Sequence, residues 1–208
     1  MREPGKSPRE QCKAPGKRPA PLALRRWTRL ATCVLLLAWT QAAIPQSEEP
    51  SEYQLKAAFL YNFAKFVEWP AEAFVDAGAP LRICVLGENP FGNGLVETVQ
   101  GRKVNGHPLI VAPISEPHQA KACHVLFLSR AERKRIPQVL EVLRSSSTLT
   151  VGESDDFVRA GGVINFVLEA GKVRFEVNLR ASEQARLKIS SKLLSLARAV
   201  WSLPDRKG

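Results

Sequence analysis

The stretch LRICVLGENPFGNG, Leu81 to Gly94, decides the fold: it reads as a strand, a loop and the start of a helix. Leu81, Ile83, Cys84, Val85 and Leu86 make a short apolar run ended by Gly87. A run that is apolar at successive positions suits a strand covered on both faces, and such strands build parallel sheets. Asn89 is placed to cap the free N–H groups of a helix with Pro90 at its first position, where a missing N–H costs nothing. That helix is predicted to reach Gln100 and to end at Gly101. Strand, short loop and helix are the opening half of a βαβ unit.

Upstream lies EYQLKAAFLYNFAKFVEWP, residues 52–70. Leu55, Phe59, Phe63, Phe66 and Val67 recur at helical spacing, which predicts an amphipathic helix ended before Pro70. The other face carries Tyr53, Leu60, Tyr61 and Trp69, an apolar surplus. Two readings stay open: a core helix packed on the sheet, or an aromatic surface for a partner protein. Downstream, HPLIVAPI (His107 to Ile114) follows the turn Asn105-Gly106, and CHVLFLS (Cys123 to Ser129) is a second fully apolar strand. A helix is predicted over Ala131 to Arg144 with Ile136, Val139, Leu140 and Leu143 inward, its basic cluster being a solvated face. Thr148 to Gly152 is a fourth strand, followed by a helical turn at Asp155 to Ala160. VINFVLEAGKVRFEVNL alternates about Ala170-Gly171 as a β-hairpin does. Ile189, Leu193, Leu196, Ala197 and Val200 line one face of a closing helix capped by Ser190.

The order predicts an α/β fold: a single doubly wound, mostly parallel sheet with helices on both faces and a C-terminal β-hairpin and helix. In such sheets ligands bind at the carboxyl ends of the strands. Those ends are Gly87-Glu88-Asn89, Ser129-Arg130 and Gly152-Glu153-Ser154, and Gly87, Glu88 and Asn89 are the candidates for a ligand crevice.

The formal charge of +10 over 208 residues invites a nucleic-acid reading, and its distribution removes it. Residues 1–42 hold nine Lys and Arg against two Glu, a net of +7; the rest holds 21 basic and 18 acidic residues, only +3. A polyanion binder places its charge on the folded face among stacking aromatics, a pattern missing here. The basic segment precedes an apolar run, Leu30 to Ala38, with small residues at Thr40, Ala42 and Ala43, the layout of a cleaved secretory signal. That run is too short to span a bilayer of about 30 Å at roughly 1.5 Å per residue. The expected organisation is a basic extension and signal peptide (1–43), a linker (44–51), one domain (52–202) and a tail (203–208), with the mature protein exported to the periplasm.

Most catalytic signatures are missing. A phosphate-receiving domain needs a carboxylate at the end of its third strand, where this chain has Ser129-Arg130. Gly87, Gly92 and Gly94 do not fit GxGxxG, and no P-loop lysine is present. His107, His118 and His124 lack the spacing of a metal pair, and no nucleophile elbow is readable. No cofactor and no enzymatic activity are expected. Removal of the signal leaves two cysteines, Cys84 and Cys123, with no CxxC pattern. In a sheet ordered 2-1-3 their strands are neighbours about 4.8 Å apart, within the roughly 4.4 to 6.8 Å Cα separation of a disulfide. The alternative is a pair of buried thiols, because parallel neighbours offer imperfect Cβ geometry.

The blocks EYQLKAAFLYNFAKFVEWP, LRICVLGENPFG, GGVINFVLEAGKVRFEVNL and LKISSKLLSLARAV together resemble the YfiR family of exported bacterial proteins, over residues 51–200. The resemblance implies a periplasmic, non-enzymatic regulator that binds the periplasmic domain of a membrane diguanylate cyclase and lowers cyclic di-GMP signalling. It also implies a homodimer, sensitivity to redox state, and a family cysteine pair at Cys84 and Cys123. A second family pair is absent, since no cysteine follows Cys123. The expected contact surfaces are the aromatic face of the first helix and the closing helix. The rival expectation is a periplasmic small-molecule binding protein serving a sensor or transport system, with its ligand at Gly87 to Asn89.

Overall fold

Residues 51–202 are described by a computed structural model; the expected basic extension, signal peptide, tail and all but the last linker residue lie outside them. Helix α1 (Glu52–Phe66) starts on a capping box, in which Ser51 accepts from the Gln54 amide and Gln54 accepts from the Ser51 amide. It leads directly into a two-residue strand, β1 (Val67–Glu68). Strand β2 (Leu81–Leu86) then enters the sheet between β4 (His107–Ile114) and β5 (Val125–Leu128), parallel to both. Strand β6 (Leu149–Gly152) continues parallel beside β5, and β7 (Ile164–Glu169) beside β6. Strand β8 (Lys172–Asn178) returns antiparallel to β7 through Ala170 and Gly171, both at positive φ, as a tight hairpin turn requires. A short β3 (Lys103–Val104) and β10 (Ala199–Trp201) form the two edges, giving the order β10-β8-β7-β6-β5-β2-β4-β3.

Alternate residues of the central strands feed two cores, one on each face. On the first face, Leu81, Ile83, Val85, Val125, Phe127, Leu149 and Val151 meet Ala57, Leu60, Phe63 and Ala64 of α1. Leu95 and Val99 of α2 (Gly94–Val99) join them. On the second face, Cys84, Leu86, Leu126 and Leu128 pack against Ile136, Val139 and Leu143 from α3 (Ile136–Val142) and its C-cap, with Ala120 and Phe157. The doubly wound, mostly parallel α/β sheet read from the sequence is the observed fold.

Four local departures have physical causes. Of the predicted stripe, Phe63 and Val67 are fully buried and Leu55, Phe59 and Phe66 only partly, and the centre of the buried face is shifted to Ala57, Leu60, Phe63 and Ala64. Two alanines let the helix axis lie close to the sheet, and a pattern drawn on large side chains overlooks them. Asn89 does not cap α2. Its Oδ1 accepts from the Phe91 amide at 3.0 Å and its amide donates to the Gly92 carbonyl at 2.9 Å, a turn that sends Phe91 into the core. The segment predicted as a helix from Ala131 begins as a 3-10 turn, Arg130–Arg135, ahead of α3. The closing helix is reduced to one turn, α5 (Ser191–Leu194), capped by Ser190 as expected. Beyond it the chain extends into β10, parallel to β8 with Val200 opposite Val177. Pairing with the exposed edge of β8 outweighs a helical pattern whose last member, Val200, favours strands anyway, as does the next residue, Trp201. Before α5 lie α4 (Leu179–Gln184), capped by Asn178, and β9 (Lys188–Ile189), paired antiparallel with β1.

Candidate functional site

The carboxyl ends of β2, β5 and β6 converge, and side chains fill the space. Gly87 has φ 76°, and its open side is covered by the Glu132 carboxylate so closely that a Cβ would not fit. Glu132 is held in turn by Arg135 at 3.3 Å, which also donates to the Ser115 carbonyl at 2.7 Å. Glu88 and Asn89 are exposed beside it. Glu153, at the end of β6, is only 5% exposed. It accepts from the Arg130 amide at 2.9 Å, from the Tyr53 hydroxyl at 3.2 Å and from the Lys56 ammonium. Lys56, itself buried, also pairs with Glu52 one turn earlier. Burial, followed by the neighbouring Glu153 charge and hydrogen bond, pushes the Tyr53 phenol up to about 12. A carboxylate engaged by three donors is poorly placed to remove a proton from anything else. The arrangement fastens α1 to the sheet. Ser129 Oγ and Ser154 Oγ are buried nearby and have no partner among the described residues.

The aromatic residues of the first helix do not form one open surface. Leu60 is fully buried in the first core and so leaves the expected partner set, because it lies on the alanine-rich face of α1. Tyr53 is half-buried, its ring edge-on to Phe91 at 5.5 Å. Tyr61 lies under the Arg102 guanidinium, 4.6 Å from its ring centre. Trp69 donates from Nε1 to the His124 carbonyl at 3.3 Å. Three of the exposed large apolar residues, Leu196, Val200 and Trp201, lie near the C terminus of the described chain, with 59, 41 and 40% exposure; Val75, Val96, Ile110 and Leu168 are scattered elsewhere along it. The closing segment, expected as a helix, ends as an edge strand.

Cys84 and Cys123 form a disulfide with a Cα separation of 5.9 Å, and both are buried in the second core. Their strands are neighbours, as the order 2-1-3 requires, and Cys123 stands just before β5, at the end of the 3-10 turn Pro117–Ala122. Cys84 is in register with Leu126, so the bridge runs obliquely to the loop, where the backbone has freedom to orient Sγ. Next to it, His124 Nδ1 accepts from the Arg82 amide at 3.1 Å and Nε2 therefore donates to the Ala73 carbonyl at 3.1 Å. Phe74 stacks between His124 and His107, with ring centres 4.5 and 3.7 Å away. Burial, chiefly, and the nearby His107 and Arg82 charges lower the His124 pKa, against the opposing effect of the Ala73 hydrogen bond.

Among the described residues no group of three or more His, Cys, Asp or Glu side chains is placed to hold a metal ion. No described helix is long and apolar enough to cross a membrane.

The fold and these sites define a disulfide-tied, doubly wound α/β domain whose carboxyl strand ends are covered by its own side chains. The chain belongs to the YfiR/HmsC-like family (DUF4154), whose model matches residues 53–198. No curated protein matches it. Among solved structures it is similar to a conserved domain protein from Vibrio cholerae, at 13% identity and a TM-score of 0.50, over 72% of this chain and 60% of that one. It also shows a weaker likeness to an ABC domain from Streptococcus pneumoniae in complex with L-Trp, at 12% identity and a TM-score of 0.43, over 58% of this chain and 55% of that one. The chain thus spans well under two thirds of the length of either structure, and at these identities the Vibrio likeness concerns fold alone.

Proposed function

We propose that this protein is a periplasmic, non-enzymatic regulator that binds the periplasmic part of a membrane-bound diguanylate cyclase and holds the cyclase inactive. The observation that carries this reading is the family match across residues 53–198. A disulfide buried in the core is consistent with an oxidising compartment. To inhibit, the protein must contact the inactive arrangement of the cyclase better than the active one, and the difference in binding free energy sets the depth of inhibition.

The contact surface is placed at the β10 edge. β10 is the last strand in the sheet order, so one side of its backbone is unpaired among the described residues. Ala199, Val200 and Trp201 carry no charge or proline that would block a further strand. Trp201 and Leu196 supply the kind of exposed apolar anchors that dominate binding energies. Tyr53, Tyr61 and Trp69, each partly covered by a neighbouring group, are secondary contact candidates. The test is to add the purified protein to membranes carrying the cyclase and follow conversion of GTP to cyclic di-GMP. A saturable fall in rate is expected, and a rate unchanged at all concentrations would overturn the proposal.

The rival reading, a small-molecule binding protein for a sensor or transport system, placed its ligand at Gly87 to Asn89. Glu132 lies across that position, so a ligand there would have to displace it.

A further inference from the structure

At the amino ends of β2, β5 and β6, away from the strand ends described above, a cavity of about 620 Å³ opens. Its wall brings together Arg82, Lys121 and Arg186 from three separate segments, with the hydroxyls of Ser145, Ser146 and Ser147. All three cations are exposed, and none takes part in the ion pairs formed among the described residues. Two carboxylates, Glu72 and Asp76, also line the cavity, but Asp76 Oδ1 accepts from the Gly78 amide at 2.8 Å and is turned back onto its own loop.

Two other polar groups of the wall are committed to the fold, and one buried hydroxyl is not. His124 uses both ring nitrogens on backbone groups, and Thr148 Oγ1 donates to the Cys123 carbonyl at 2.9 Å. Ser147 Oγ is buried without a partner among the described residues. Arg186 adds an independent observation. Helix α4 ends with the Arg186 amide on the Glu183 carbonyl and the Leu187 amide on the Ser182 carbonyl, a pair of bonds that favours glycine between them. Arginine holds that left-handed position instead, with φ 57°, and lines the cavity.

We propose that this cavity binds a small polyanion, a molecule with two or more phosphate or carboxylate groups, gripped by Arg82, Lys121 and Arg186 and oriented by the serine hydroxyls. The volume falls in the range of small-molecule sites, and guanidinium groups bind either oxyanion through paired hydrogen bonds. The site is independent of the cyclase reading, so the failure of one leaves the other standing.

Titration calorimetry of the full chain with inorganic pyrophosphate, and separately with citrate, tests it. Saturable binding is expected with a dissociation constant of about 1 mM or tighter, weakening as NaCl is raised. Response to pyrophosphate alone assigns a phosphate ligand, and response to citrate alone a carboxylate; either supports the site. Arg186→Gly relieves the left-handed residue, so the melting temperature should hold or rise while affinity falls by about tenfold or more, the loss of one charge-assisted contact. Arg82→Gln should weaken binding similarly, and Arg174→Gln, exposed on β8 outside the cavity, should leave it unchanged. No saturable binding of either anion, an undiminished affinity in Arg186→Gly and Arg82→Gln, or an equal loss in Arg174→Gln would overturn the proposal.

Discussion

Glu153 and Lys56 are nearly a hundred residues apart in sequence and meet at the carboxyl end of the sheet, both almost fully buried. Glu153→Gln leaves the Lys56 ammonium with Glu52 alone, and should destabilise the fold by roughly 2 to 3 kcal/mol in urea unfolding. A paired replacement, Lys56→Met with Glu153→Leu, should recover only part of that loss: it removes the stranded ammonium, but the Arg130 amide and the Tyr53 hydroxyl lose their acceptor. The Cys84–Cys123 bridge closes a separation of 39 residues, so Cys84→Ala with Cys123→Ala should cost at most about 4 kcal/mol in the chain-entropy view. His124 gives a pH dependence whose sign follows from its lowered pKa. The unfolded chain takes up a proton on this ring as pH falls below about 6.5, while the folded ring resists it. The stability that His124 contributes is therefore whole above that pH and declines below it, and His124→Gln should flatten the acid limb of stability measured against pH. The cysteine pair was legible because strand adjacency follows from the apolar runs. The Lys56–Glu153 pair was not, because a contact between distant segments leaves no local periodicity.

At the scale of elements, α1 shows how a helix can be recognised while the centre of its buried face is misplaced. Large apolar residues surround it, and the choice of inward face falls to Ala57 and Ala64, which set how closely the helix approaches the sheet. Leu60→Ala should therefore cost roughly 2 to 4 kcal/mol, as for other fully buried leucines. Tyr61→Ala should cost well under half of that, since Tyr61 is half-buried and its stacked partner Arg102 is exposed. Unfolding of the two variants side by side checks the assignment. The central strands were legible from their apolar runs, and His107–Ile114 coincides with the predicted segment. β10 was hidden because Leu193, Leu196, Ala197 and Val200 satisfy a helical period, and only the unpaired edge of β8 selects the extended form. The start of α2 was displaced for a similar reason: Phe91 finds a place against Phe127, 4.8 Å between ring centres, and a helix begun at Pro90 is given up for it.

At the scale of the whole molecule, a parallel sheet has two chemically different ends, and this chain closes one and opens the other. The carboxyl ends are occupied by Glu132 and Glu153, while the amino ends carry a cavity lined by arginine, lysine and serine. Sequence order and charge placement reveal the sheet and its likeness to an exported family, but not which end is occupied, because that depends on side chains from α1 and from the turn after β5. The function proposed at this scale rests on binding, with β10 as the proposed contact edge. The most direct test is intracellular cyclic di-GMP in a strain lacking the protein, then in the same strain supplied with the wild type or with a folded Leu196→Asp, Trp201→Asp variant. Deletion should raise cyclic di-GMP, the wild type should restore it and the variant should not; a level unaffected by deletion would contradict the assignment.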